Sequence, residues 1–275
     1  MEPEVLLIGD LLAAEFHAAR EALAANGSLT QVPDVPAALA ALAAAQCSPA
    51  VIVLAQSYPG QVSDADIERL WRAAPLARTL SLLGTWCEGE MRTGRPCAGA
   101  IRVYWHQWSA RWGQERARLK AGQCPTWGLP VTATDEERVM HPGRAASHRQ
   151  GLIVIVSPHP AMAEMLCDAC RQMGYATLWE PHFQGRPRFQ GAQAVVFDGR
   201  DCDLEEAAQL TALAHALPGL PILALMDFPR AQDRQRALRH GATAVLSKPL
   251  LLDDLWWELE ATLEPPQPAR AAQQA

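Results

Sequence analysis

The chain lacks an apolar run long enough to cross a bilayer. Its clearest apolar string, residues 152–156, is far short of the roughly 20 residues a spanning helix needs. Cations are also scarce: 24 Lys and Arg stand against 30 Asp and Glu, a formal net charge of −6. A broad nucleic-acid surface needs clustered Lys and Arg to displace counterions, so nucleic acid is not expected as a partner. The small basic groups at Arg111, Arg116, Arg118 and Lys120, and at Arg138, Arg144 and Arg149, read as solvated helix or linker charges. The seven cysteines are odd in number and scattered, which argues against a disulfide framework. Cys167 and Cys170 have CxxC spacing but fall inside an expected helix without a second pair, so they read as core-facing or half-buried thiols. No phosphate-cradling glycine loop, zinc-protease helix or nucleophile elbow is present. The first residues carry Glu2 and Glu4 where a secretion signal has Lys or Arg, and Asp10 interrupts the apolar stretch. A cytoplasmic protein without membrane contact is therefore expected.

What is present is a repeated plan. With 275 residues, 49% of them hydrophobic, the chain can build two packed domains. In the first half, short apolar strand patterns at 5–8, 29–32, 50–54, 79–83 and 100–104 alternate with helical patterns. A helix over 11–25 ends at Asn26-Gly27, and a second begins at Pro36. Ser63 with Asp66 resembles a capping box, and a last helix runs over 109–120. The second half repeats this with strands at 152–156, 175–179, 194–197, 222–225 and 242–246. Its helices are expected over 160–173, 203–217, 229–240 and 250–263.

Strands alternating with helices at this spacing imply parallel sheets covered on both faces. The expected fold class is α/β, with two doubly wound five-stranded parallel-sheet domains of flavodoxin-like, receiver type. The first domain is expected over 1–122 and the second over 151–264. The Pro-, Gly- and charge-rich segment 123–150 reads as a linker, and 265–275 as a disordered tail.

The second half resembles the receiver domain of bacterial response regulators. The resemblance rests on Ala194-Val195-Val196-Phe197-Asp198, on Pro221-Ile222-Leu223-Ala224-Leu225, and on Gly241-Ala242-Thr243-Ala244-Val245-Leu246-Ser247-Lys248-Pro249. By that resemblance, Asp198 matches the phosphate-accepting carboxylate and Lys248 the lysine that contacts the phosphoryl oxygens. The family's pair of Mg²⁺-holding acids is replaced by Ser157-Pro158, and its switch hydroxyl by Met226. Phosphoryl transfer to a carboxylate needs the charge on the phosphoryl oxygens neutralised. Mg²⁺ prefers carboxylate oxygens, so Asp198 alone is expected to hold it only weakly, with Asp201 and Asp203 as the nearest other acids. No cofactor or resident metal is expected. The first half is similar to the same family in topology. There Ala55 takes the acceptor position, Gly9 and Asp10 the acidic pair, and Trp105-His106 the Lys-Pro region.

Between the fourth and fifth strands of the first half lies a glycine-rich stretch, 84–97, where a receiver carries a helix. Trp86, Glu88, Glu90, Arg92 and Arg95, with His106 beyond, form a candidate binding loop at the carboxyl end of the sheet. A structural loop with its tryptophans packed on the sheet is the alternative. Cys87 and Cys97 flank this stretch, but nothing in their spacing selects a metal site or a Cys–His nucleophile. The spacing of Trp105, Trp108 and Trp112 marks a buried helix face. Trp256 and Trp257 lie on the last helix, where an exposed indole would favour docking. The expected function is a non-enzymatic signalling adaptor of two pseudo-receivers, acting by protein contacts largely independent of aspartyl phosphorylation. Its expected partners are other signalling proteins, among them a histidine kinase or a second copy. The rivals are an atypical phosphoacceptor using Asp198 and a small-ligand sensor or enzyme using the 84–97 loop.

Overall fold

The computed structural model describes residues 3–88, 99–129, 132–133, 150–183, 189 and 191–263. The chain divides into two compact units, Met1–Arg144 and Ala145–Ala275. In the first, β1 (Val5–Ile8), β2 (Leu29–Val32), β3 (Val51–Gln56), β4 (Arg78–Leu83) and β5 (Ile101–Tyr104) form one sheet in the order β2-β1-β3-β4-β5. Every pairing in it is parallel. The helices are α1 (His17–Ala24), α2 (Val35–Ala43), α3 (Asp64–Ala73) and α4 (Trp108–Lys120). The central strands β1 and β3 are apolar throughout except for Gln56 and are buried along their whole length, as strands covered on both faces must be. Leu6, Ile8, Ile52 and Leu54 meet Val35, Ala38, Ile67 and Leu70 of α2 and α3 on one face.

The second unit repeats the order. Its strands are β6 (Leu152–Val156), β7 (Ala176–Glu180), β8 (Ala192–Asp198), β9 (Ile222–Asp227) and β10 (Ala244–Lys248), arranged β10-β9-β8-β6-β7. All pairings are again parallel. The helices are α5 (Pro160–Gln172), α6 (Leu204–Ala216), α7 (Ala231–Arg239) and α8 (Leu252–Leu263). One face of the sheet packs Ile153, Ile155 and Val196 against Leu166 and Leu255, and the other packs Val154, Val195 and Ala224 against Leu210 and Ala237. With the first strand beside the third, each unit has the flavodoxin-like order, and ligand-facing loops gather beyond the carboxyl ends of its strands. Both units are receiver-type α/β domains. Among the described residues no helix is long and apolar enough to cross a membrane.

Local chemistry explains the element ends. Ser63 caps α3 by accepting the Asp66 N–H, and Asp34 caps α2 by accepting from Ala37. Asp203 caps α6, accepting from Glu205 and Glu206. Three expectations are corrected. The first helix does not span 11–25: a 3-10 turn, Ala14–Phe16, precedes α1 at His17. Trp105 lies before α4, although it is buried with Trp108 and Trp112. Arg118 is not a solvated charge; it is 8% exposed and donates to the buried Glu115 carboxylate at 2.8 Å.

Residues 126–128, within the segment read as a linker, pack on the first unit. Trp127 is buried with its ring 5.4 Å from Trp112, which stacks on Trp108 at 5.5 Å. The Thr126 N–H and hydroxyl both donate to Glu115, each at 2.5 Å. The basic residues Arg138, Arg144 and Arg149 and the tail 265–275 lie outside the described residues.

Candidate functional site

At the carboxyl end of the second sheet, Asp198 is the last residue of β8, and its side chain is 1% exposed. A carboxylate buried this far must be paired and hydrogen-bonded or it would not remain charged. Each of its oxygens accepts one hydrogen bond. The Lys248 ammonium, from the end of β10, donates to Oδ1 at 2.6 Å, and the Ser157 hydroxyl, just past β6, donates to Oδ2 at 2.7 Å. Lys248 also donates to the Gly199 carbonyl at 2.7 Å and reaches Asp227 Oδ1 at 3.0 Å. Ser157 is fully buried and accepts the His159 N–H; of the two acceptors its hydroxyl reaches, Asp198 at 2.7 Å is nearer than the His159 carbonyl at 3.2 Å. The sequence pattern had named Asp198 and Lys248 but missed Asp227. The signal for it was the register of two strands: Asp227 ends β9 directly opposite Lys248.

The fit of this donor set to Mg²⁺ is poor. The ion requires several hard oxygens in near-octahedral array, and Asp198 already spends one oxygen on an ammonium and the other on a neutral hydroxyl. Asp227 faces the same ammonium. Asp201, Asp203 and Glu206 bring their carboxylates within 4.8 Å of one another, but these acids serve the turn into α6. Glu206 accepts the N–H groups of Arg200, Asp201 and Cys202, while Asp203 caps the helix. Met226, a core methionine without a hydroxyl, is 2% exposed and lies opposite Ser247.

In the first unit the same geometry is filled differently. Ile8 pairs with Leu54 as Val156 pairs with Phe197, so Gly9 and Ala55 occupy the places of Ser157 and Asp198. Gly9 has φ +107, and a Cβ there would lie 3.0 Å from the Ala55 carbonyl oxygen. Backbone approach therefore leaves no room for a side chain at Gly9. Asp10 is exposed and accepts the Leu12 N–H at 2.7 Å. Trp105 follows β5 where Lys248 ends β10; it is 3% exposed and donates its indole N–H to Glu88 at 3.3 Å.

Of the candidate loop, Trp86, Glu88 and His106 are described, whereas Glu90, Arg92 and Arg95 lie outside the described residues. The structure sets Trp86 apart and brings Glu88 and His106 together. Trp86 is 80% exposed, while the His106 side chain is 6% exposed, stacked on Tyr104 at 5.8 Å with its Nε2 3.8 Å from Glu88. The turn that carries Trp86, Thr85–Cys87, is pinned on both sides. The Thr85 N–H donates to Glu15 at 3.0 Å, its hydroxyl donates to the same carboxylate, and Cys87 is buried with Sγ 3.5 Å from the Gln56 carbonyl. Cys167 and Cys170 are buried on α5, and desolvation pushes the Cys170 thiol up to about 12, which makes it a poor nucleophile or ligand. Trp256 is half-buried, and its indole N–H donates to the Ala169 carbonyl.

Among solved structures, the chain is similar to a CheY-like response regulator from Mesorhizobium loti, at 16% identity and TM-score 0.36, over 42% of this chain and 100% of that one. It is similar to a CheY-like receiver domain protein from Methanospirillum hungatei, at 19% identity and TM-score 0.37, over 42% of this chain and 94% of that one. It is also similar to a protein from Burkholderia pseudomallei described as pilus assembly-related, at 21% identity and TM-score 0.37, over 41% of this chain and 88% of that one. No family model matches the chain, and no curated protein does.

Proposed function

We propose that this chain is a signalling adaptor of two receiver-type domains that acts by protein contacts, without enzymatic turnover and without an aspartyl-phosphate switch. The observation that carries the reading is the occupancy of Asp198: its buried carboxylate is held by Lys248 on one oxygen and Ser157 on the other. For a phosphoryl group to be accepted there, the incoming oxygens need a metal that the donor set does not suit. Met226 then has no hydroxyl to report the event. In the first unit Ala55 has no nucleophile at all.

The test is incubation of the full chain with Mg²⁺ and acetyl phosphate, followed by intact-protein mass measurement. The expected result is no phosphoryl adduct on the native chain. An adduct that disappears in Asp198→Asn would overturn the reading in favour of an atypical phosphoacceptor. A repair variant, Ser157→Asp with Met226→Thr, restores one acid and the hydroxyl, and is expected to acquire labelling that the native chain lacks.

A further inference from the structure

Three loops of the first unit meet at the carboxyl edge of its sheet. A Cβ placed on Gly84 would lie 2.3 Å from Glu15 Oε1 and 3.2 Å from the Ser57 Cα, so the loops after β1, β3 and β4 touch at this point. Each of them carries a large exposed apolar side chain within three residues in sequence of that contact: Leu12 at 76% exposure, Tyr58 at 57% and Trp86 at 80%. Large exposed side chains gathered from separate loops mark interaction surfaces, whereas single scattered ones do not. The Trp86 turn is also held in advance. Thr85 is tied to Glu15 and Cys87 is buried against the Gln56 carbonyl, so the residue between them is presented outward on a fixed backbone. An aromatic anchor ordered before binding loses little conformational entropy when it docks.

Among the described residues, the charge around this surface has one sign. In the described parts of these three loops and the helix start after them, residues 9–16, 57–66 and 84–88, the charged side chains are Asp10, Glu15, Asp64, Asp66 and Glu88, with no Lys or Arg. Asp10 and Asp64 are exposed. Indole and phenol faces attract cations, and carboxylates beside them add Coulomb attraction. We infer that this edge is a docking surface for a partner protein segment carrying Arg or Lys beside aliphatic side chains, with Trp86 as its anchor. The inference rests on the adaptor reading and names the kind of partner. A second copy of the same acidic edge is disfavoured by like-charge repulsion.

The probe is a phage-displayed library of random 12-residue peptides selected on the full chain, with enriched peptides then synthesised and titrated by fluorescence anisotropy. Enrichment of Arg- or Lys-bearing apolar sequences is expected. Their affinity should fall at least about tenfold in Trp86→Ala, fall in Asp10→Asn with Asp64→Asn, and weaken as salt rises. Glu15→Gln, which loosens the turn without removing the indole, should also weaken binding. Because Trp86 is exposed, its alanine variant keeps the native circular dichroism. Failure to enrich any peptide, enrichment of acidic sequences, or unchanged affinity in Trp86→Ala would overturn the inference. The two readings fail separately: a phosphoryl adduct on Asp198 removes the switch-free reading only, and loss of cationic selection removes this one only.

Discussion

Replacing Lys248 by Met leaves two carboxylates without their shared cation. Asp198 is the costly one, since its side chain is 1% exposed and keeps only the Ser157 hydroxyl. Removing one partner of a buried ion pair destabilises by about 3–5 kcal/mol, because the remaining charge is uncompensated. The Gly199 carbonyl also loses its donor. The opposite deletion, Asp198→Asn, is expected to be milder. Lys248 would keep Asp227 at 3.0 Å, half-exposed and hydrated, and the Gly199 carbonyl at 2.7 Å. A loss of about 1.5–3 kcal/mol is expected there, typical of a hydrogen bond to a charged group. The double variant should lose less than the sum of the two, by at least about 1 kcal/mol, since the residues are in direct contact. Native-state hydrogen exchange of the amides in β6 and β8 reads the second unit alone, which matters because a chain of two units need not unfold in one step. A Lys248→Met loss below about 1 kcal/mol, or an Asp198→Asn loss equal to it, would refute the view that Lys248 is shared between a buried and a hydrated acid.

Burial is the main reason the Glu258 carboxyl is pushed up to about 7 from its ordinary 4.5. Between those values the folded state holds more protons than the unfolded one, so stability should fall as pH rises from about 4.5 to 7 and level off above. Glu258→Gln should flatten that slope in denaturation measured across the window. Trp127→Ala should destabilise the first unit by about 3–5 kcal/mol, because a buried ring packed at a tilt against Trp112 is lost; exchange in β1 and β3 measures it, and an unaltered rate would show that 126–128 only rests on the domain. Gly9→Ala should cost about 1–3 kcal/mol, since φ is +107 and the Ala55 carbonyl is 3.0 Å from the new Cβ; a urea midpoint equal to that of the native chain would contradict this.

The fold was legible because both sheets are buried on two faces, so their strands read as short apolar runs between helical periods. The register that makes Asp227 a partner of Lys248 is a property of two paired strands, and no local pattern in either strand shows it. Ser157 was seen only as a missing acid. That its hydroxyl seals Asp198 depends on a 2.7 Å contact between residues 41 apart. Arg118 looked like a solvated charge because charge and helix position were the only information. Its guanidinium donates to Thr126, which folds back from a stretch whose proline and glycine content points to a linker. The tryptophan spacing correctly marked Trp108 and Trp112 as core, but it could not separate them from Trp86, whose exposure follows from anchors on the residues either side.

The two units answer one physical problem in different ways. A parallel sheet collects backbone ends and polar side chains at its carboxyl edge, and anything buried there must be neutralised or omitted. The second unit keeps an acid and neutralises it with a lysine and a serine. The first omits the acid, closing the gap by bringing Gly9 onto Ala55 and placing Trp105 where the lysine would be. Neither solution disturbs the strand order, because the core that fixes it lies between the sheet and its helices. The edge is therefore free to change its chemistry. In the first unit it carries exposed aromatics on loops whose described charges are acidic, which is why contact with a cationic partner is the activity to test there.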